Sequence, residues 1–207
     1  MHIFTLRYPG TNLDGVADVR TVMTQLATLE CSLADAAVAL DLFEKSRAIP
    51  VLPGSDQANA SDMPYGYTRR LPFIFAHTVV YALDAISKTI GVLAKTSGLP
   101  NSDIQKAYDD FKAALPNLLL VRNSAHHVED RARGLGKGQV PLQTPFLSIS
   151  NLIDNRLNYT VEDGSQGEVE ITKNSVEVAQ QAIQQTFNAL SWSGPSWDAP
   201  MSFPGSK

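Results

Sequence analysis

The chain has 207 residues, which suits one domain with a sizeable core, and it carries a formal net charge of −4 and a single cysteine. The negative balance excludes a global basic field that would attract nucleic acid, so any such binding needs a local patch. One cysteine excludes an internal disulfide and a zinc site built from cysteines.

Two long helices are predicted in the first half of the chain. Residues 14–45 place apolar side chains at alternating steps of three and four, the spacing of a bundle seam. Residues 46–68 are rich in proline, glycine, serine and aspartate and predict a long irregular loop. The helix predicted at 71–96 is apolar on most sides and should be central. In it we expect His77 to be a hydrogen-bonded core histidine and Asp84 a paired core carboxylate.

The most apolar run of the chain, Leu71–Leu93, is interrupted by His77, Asp84 and Lys88. Such a run predicts a helix buried in a protein core rather than one that crosses a membrane. The amino-terminal residues lack the long apolar core of a signal peptide. We therefore expect a cytoplasmic protein with no membrane partner.

The second half of the chain changes from helical to strand-like periodicity at about residue 144. Helices predicted at 101–114 and 116–134 complete a core helical bundle over residues 14–134. Alternating apolar and polar residues then predict a small antiparallel β-meander over 144–173. This mainly α single domain, residues 1–207, ends in a helix at 174–191 and a tail at 192–207 that is either disordered or pinned by Trp192 and Trp197.

The helix predicted at 116–134 carries most of the chemically active side chains. Its apolar residues recur at steps of three and four, as in a helix packed on a core: Leu118, Val121, Ala125, Val128, Ala132 and Leu135. Groups able to hold a phosphate or move a proton lie off this stripe: Arg122, Asn123, His126, His127, Glu129, Asp130, Arg131 and Arg133. Arg122 and His127 are five positions apart, so their side chains point in different directions from the helix. A ligand held by both would have to lie across the polar face, or a second copy of the chain would have to present the same face to it.

The run Arg122-Asn-Ser-Ala-His-His127 resembles the motif of HEPN-fold proteins (higher eukaryotes and prokaryotes nucleotide-binding). That motif is an arginine, a polar residue after it and a histidine a few positions later, in a late helix of an all-helical bundle. The resemblance implies a HEPN-like antiparallel helical bundle, to which the small sheet is appended. It assigns the motif positions to Arg122, Asn123 and His127. The longer run Arg-Asn-Ser-x-x-His-x-Glu-Asp-Arg also resembles a group of bacterial proteins of uncharacterised function.

Many HEPN proteins are metal-independent endoribonucleases that work as dimers, whereas others have the fold without the activity. The resemblance implies RNA as a ligand and a homodimer in which two motifs face one cleft. His127 would transfer protons, Arg122 would stabilise charge on the phosphate, and Asn123 would hold the His127 ring or donate to a phosphate oxygen. We expect no cofactor and no metal. The accessory residues beside the motif are His126, Glu129, Asp130 and Arg131.

Other interpretations use the same residues. A solvated helix face with Arg122–His126 and Glu129–Arg133 pairs would make the protein a non-catalytic interaction or dimerisation module, with a protein partner or a second copy. A metal could be ligated by the carboxylates and imidazoles of this stretch, although it has no His-x-x-x-His pair: His126, His127, Glu129 and Asp130. The run Gly134-Leu-Gly-Lys-Gly138 suggests a phosphate loop but lacks the full spacing and a following Ser or Thr, so a helix end is favoured.

Overall fold

The computed structural model describes residues 2–48, 65–144 and 147–200. These residues form a mainly α structure with small antiparallel sheets, as the sequence predicts. The helices are α1 Val19–Arg47, α2 Tyr65–Leu93, α3 Asn101–Ala114, α4 Leu118–His126, α5 Val128–Ala132 and α6 Lys173–Ala189. The strands are β1 Thr5–Tyr8, β2 Asn12–Leu13, β3 Asn151–Ile153, β4 Arg156–Thr160, β5 Gln166–Glu170, β6 Trp192–Ser193 and β7 Trp197–Pro200.

The core lies along the two long helices α1 and α2, which pack against each other. α1 begins at Val19, later than predicted, because the Asp18 carboxylate caps it by accepting a 3.0 Å hydrogen bond from the Thr21 amide. α3 and α6 pack on each other and on α2, and α4 packs between α2 and the sheet formed by β4 and β5. α4 therefore joins the helical part of the molecule to the sheet.

α2 is the one helix, within the ranges the structure describes, that is long and apolar enough to cross a membrane, over Gly66–Leu93. In the fold its inward side is fully buried, as Leu83, Ile86 and Ile90 illustrate. Asp84, also on α2, is buried in ion pairs. Such burial is typical of a core helix, the role that the sequence predicts for this segment. The predicted loop at 46–68 lies mostly outside the described residues. At its described ends the prediction is wrong, because α1 continues to Arg47 and α2 begins at Tyr65, ahead of the predicted start at 71.

The sheet order β3-β4-β5 is an antiparallel meander within the segment predicted to be one. The tail also contributes strands: β7 pairs with β1, and β6 pairs with β2. Trp197 stacks on Tyr8 with their ring centroids 4.2 Å apart. Residues 192–200 are therefore held against the fold, which is one of the two alternatives predicted for the tail. Residues 201–207 lie outside the described part.

His77 on α2 is hydrogen-bonded, as predicted, but it is half-buried at the edge of the core rather than enclosed by it. Its Nε2 atom lies 2.6 Å from the hydroxyl oxygen of Tyr159 on β4. The Tyr159 residue is buried, with 1% of its surface exposed. Burial, together with the nearby positive charge of Arg70, lowers the pKa of His77 below its ordinary value of 6.5. The contact ties α2 to the same strand that supports α4.

We expect His77 to weaken the fold in acid. The unfolded chain, in which His77 keeps its ordinary pKa of 6.5, takes up the proton first. The free energy of unfolding should therefore fall as the pH drops through that value, and should level off below the folded-state pKa. Urea unfolding at about pH 7.5 and about pH 5 should show a smaller loss in a His77→Gln variant than in the wild type. An equal loss in both proteins would contradict this role.

Candidate functional site

The helix predicted over 116–134 is interrupted at His127. This residue ends α4 and precedes α5 with φ −109° and ψ 42°, which are not helical angles. The break turns the face of the second segment: Val128, predicted to be apolar and inward, is 40% exposed, whereas Arg131, predicted on the polar face, is 3% exposed. The prediction of one continuous helix is wrong, because hydrophobic periodicity does not register a single non-helical residue.

Arg131 is an internal clamp rather than an accessory group at the surface. Its Nε donates to the hydroxyl of the fully buried Ser124 at 3.4 Å, and its Nη1 donates to the carbonyl of Leu135 at 2.5 Å. A buried guanidinium needs such partners to offset its lost hydration. Arg131 thereby fastens α5 and the following loop to α4.

Arg122 faces α2. Its Nε lies 3.0 Å from Oδ2 of Asp84, and the same oxygen lies 2.7 Å from the ammonium of Lys88. Asp84 is 5% exposed, so it is the paired core carboxylate that the sequence predicts. Arg122 Nη1 also donates to Oδ1 of Asn123 at 3.0 Å. Arg122 therefore contacts a buried carboxylate and its motif neighbour, in place of the His126 partner suggested by spacing alone.

A cavity of about 260 Å³ brings the rest of the motif together with residues far along the chain. Its lining includes four predicted site residues: Asn123, His127, Asp130 and Arg131. The loop after α5 and the turn after β4 supply the others: Gly136, Lys137, Gly138, Gln139 and Glu162. Three predicted residues are not in this lining: Arg122, His126 and Glu129. The motif arginine, Arg122, therefore contacts α2, whereas the motif histidine, His127, lines the cavity.

The loop from Gly134 to Leu142 is closed by backbone hydrogen bonds. The Leu142 amide donates to the Gly134 carbonyl, and the Gly136 amide donates to the Val140 carbonyl, each at 2.7 Å. At its tip Gly138 and Gln139 have φ of 68° and 63°. The glycine-rich run is therefore more than a helix end, because it folds back to the α4 face. The sequence analysis weighed this run, with Lys137 in it, as a phosphate loop and set it aside in favour of a helix end. It gave no indication of Gln139 or Glu162.

His127 lines the cavity with a side chain that is 53% exposed, so its imidazole is accessible from solvent. Its Nδ1 lies 3.9 Å from Oε1 of Glu129, and its ring is roughly perpendicular to that of His126. Asp130 is paired with Arg133, in place of the predicted Glu129–Arg133 pair. The side chains of His127, Glu129 and Asp130 each offer a potential metal-ligating atom, and these atoms lie within 4.8 Å of one another.

Comparison of this chain with protein-family models, with curated proteins and with solved structures found no match. The resemblance to HEPN proteins rests on the Arg122–His127 motif and on the helices around it. Chemically, the cavity offers an imidazole, an ammonium and the amides of Asn123 and Gln139. An imidazole exchanges protons near neutral pH, and ammonium and amide groups donate hydrogen bonds to phosphate oxygens. This combination suits a phosphate-bearing ligand.

Proposed function

We propose that the protein is a cytoplasmic, HEPN-like endoribonuclease that acts without a metal and uses His127 to transfer protons. The observation that carries this proposal is the cavity that the motif residues Asn123 and His127 line together with Lys137. His127 is exposed enough to reach a polymer that cannot enter the protein. In RNA a phosphate and an attacking hydroxyl occur side by side.

In the proposed reaction the 2′-hydroxyl of RNA attacks the adjacent phosphorus. A new P–O2′ bond forms and the P–O5′ bond breaks. His127 takes the proton of the 2′-hydroxyl, and the departing O5′ takes a proton from a water molecule, which leaves a 2′,3′-cyclic phosphate and a 5′-hydroxyl. Protonated His127 then returns its proton to the hydroxide so formed, which restores the neutral imidazole. Proton transfer by a positioned histidine contributes roughly 10²–10⁴-fold to such steps. No redox chemistry or other reactant is needed.

Arg122 takes a positioning role in this proposal, instead of the direct contact with phosphate that the resemblance implies. Because its guanidinium donates to Oδ1 of Asn123, the amide oxygen is occupied and the Nδ2 hydrogens of Asn123 stay available as donors. The amide can then donate to a phosphate oxygen or to a ring nitrogen of His127. The ion pair with Asp84 holds Arg122 in place for this contact.

A cleavage assay in EDTA tests the proposal. Purified protein incubated with structured and unstructured RNAs should release fragments in proportion to its concentration. The activity should co-elute with the protein in size-exclusion chromatography, which separates it from a contaminating nuclease. Protein that is folded yet inert toward varied RNAs would contradict the enzyme and favour the non-catalytic interaction module.

A homodimer belongs to the same proposal. Tyr67, Ile74 and Tyr81 recur every seven residues on α2 and are 67%, 52% and 39% exposed. Large side chains at this spacing suit packing against a second helix, here that of a second copy. Light scattering should give twice the chain mass of 22.5 kDa, and Ile74→Lys should shift the protein toward monomer. A wild type that is monomeric at micromolar concentration would contradict the dimer.

The cluster of His127, Glu129 and Asp130 favours a second candidate, a metal site that would make any activity metal-dependent. The metal-independent proposal predicts no bound zinc or manganese after purification without chelator. Elemental analysis can decide between the two. About one metal per chain, lost in His127→Ala and kept in His126→Ala, would reverse the ranking, because His126 is outside the cluster.

A further inference from the structure

The cavity contains a cation that the predicted motif does not include. Lys137 lies at the tip of the loop after α5, is exposed and lines the cavity beside Asn123 and His127. The three arginines in and beside the motif already have partners within the protein: Arg122 with Asp84, Arg131 with the oxygen atoms of Ser124 and Leu135, and Arg133 with Asp130. Across residues 2–48, 65–144 and 147–200, no carboxylate forms an ion pair with Lys137. Its ammonium is therefore available to a ligand.

The backbone that carries Lys137 is held in place on both sides. The hydrogen bond between Gly136 and Val140 closes the loop tip. Gly136 is also packed so tightly that an added Cβ atom would lie 2.4 Å from the carbonyl oxygen of Glu162. Only glycine permits this approach between the loop and the turn after β4. Lys137 is thus presented to the cavity by a constrained loop, which lowers the entropy cost of using it.

We infer that Lys137 is the phosphate-positioning residue of this cavity, and that it binds one RNA phosphate together with the amide of Asn123, beside His127. The inference deepens the proposed function and rests on it. A lysine ammonium is a compact charge with three donors and binds a phosphate oxygen without the bidentate geometry that arginine requires. Lys137 thereby supplies a phosphate contact in the bound substrate, in place of the direct Arg122 contact that the resemblance implies.

Two carboxylates also line the cavity, Asp130 and Glu162. Asp130 is neutralised by its pair with Arg133. Glu162 is the other lining carboxylate, and its negative charge opposes phosphate binding in the cavity. Removing this charge should have the opposite effect to removing Lys137, so the two substitutions form a matched pair with opposite expected signs.

The test measures binding separately from cleavage. A fluorescent 2′-O-methyl oligonucleotide, which has no free 2′-hydroxyl and cannot be cleaved, is titrated by anisotropy over a salt series. Lys137→Gln should raise the Kd about 10-fold and reduce the slope of log K against log salt by about 1, because one phosphate contact is lost. Lys137→Arg should recover most of the affinity, and Glu162→Gln should lower the Kd.

The control is Lys95→Gln, which removes an exposed lysine from the turn after α2 and should leave the Kd unchanged. On cleavable RNA, Lys137→Gln should raise KM more than it lowers kcat. If the wild type binds the oligonucleotide through Lys137 but cleaves no RNA, the phosphate-binding role of Lys137 is supported and the proposed nuclease activity is refuted. A wild type that does not bind the oligonucleotide, or a Lys137→Gln variant that binds as well as the wild type, would overturn the inference even if the wild type cleaves RNA.

Discussion

Replacing His127 by alanine should slow RNA cleavage by at least ~100-fold, the loss expected when the proton-transferring group of a reaction is removed. The imidazole is 53% exposed and lies at a junction between helices, so its loss should change the free energy of unfolding by less than about 0.5 kcal/mol. Single-turnover cleavage of a short RNA measures the chemical step without interference from product release. Circular dichroism and urea unfolding check that the variant is folded.

The matched control for this variant is His126→Ala. His126 is the adjacent histidine, is also exposed and does not line the cavity. Its substitution should leave the cleavage rate within about threefold of the wild type, since no proton-transfer role is assigned to it. Equal rates in the His127→Ala variant and the wild type would locate the activity at another site or in a contaminant. A larger effect at His126 than at His127 would transfer the proton-transfer role to His126.

Replacing Arg122 by alanine should lower the free energy of unfolding by about 2 kcal/mol, because the buried Asp84 would keep Lys88 as its cation and lose the guanidinium. The sequence alone gives a different expectation. Arg122 lies off the apolar stripe, so its replacement should lower the free energy of unfolding by no more than about 1 kcal/mol. Cleavage should also slow, because Asn123 loses the donor that orients it. Urea unfolding of the variant and the wild type measures this change in the free energy of unfolding directly.

A double-mutant cycle separates the ion pair from the other effects of this substitution. If Arg122 acts on stability through Asp84, the Asp84→Asn and Arg122→Ala changes together should destabilise the protein by less than the sum of the two single changes. The difference between that sum and the effect of the double substitution should be about 1 kcal/mol or more for a buried pair. Additive effects, or an Arg122→Ala variant within about 0.5 kcal/mol of the wild type, would contradict the structural role given to Arg122.

Local features of this fold were accessible from the sequence. The seam spacing indicated α1, the apolar run indicated α2, and the change of period indicated the β3-β4-β5 meander. His77 and Asp84 were correctly expected to be partnered, because an ionisable group inside an apolar helix must find a partner. The identity of those partners was not accessible. Tyr159 and Arg122 reach them from other elements, and helical periodicity carries no information on such contacts.

The site was less predictable than the fold for the same reason. The non-helical angles of His127 turn α5, expose Val128 and bury Arg131, although every residue around the break is compatible with one helix. The return of the glycine loop onto α4 depends on Gly136 packing against Glu162. That contact joins positions far apart in the chain. Sequence reasoning could therefore name Asn123, His127 and the glycine run that contains Lys137, but could not place Lys137 beside the other two.

The most direct test of the central claim is the chemistry of the products formed by the wild type in EDTA. One RNA carries its natural ribose throughout, and a second of the same sequence has 2′-deoxyribose at every position that the protein cleaves. The proposed reaction predicts fragments of the first RNA that end in 2′,3′-cyclic phosphate and begin with a 5′-hydroxyl, as identified by mass spectrometry, and no cleavage of the second. Cleavage of the deoxy-substituted strand, 5′-phosphate ends, or complete loss of activity in EDTA would contradict metal-independent attack by the 2′-hydroxyl at this site.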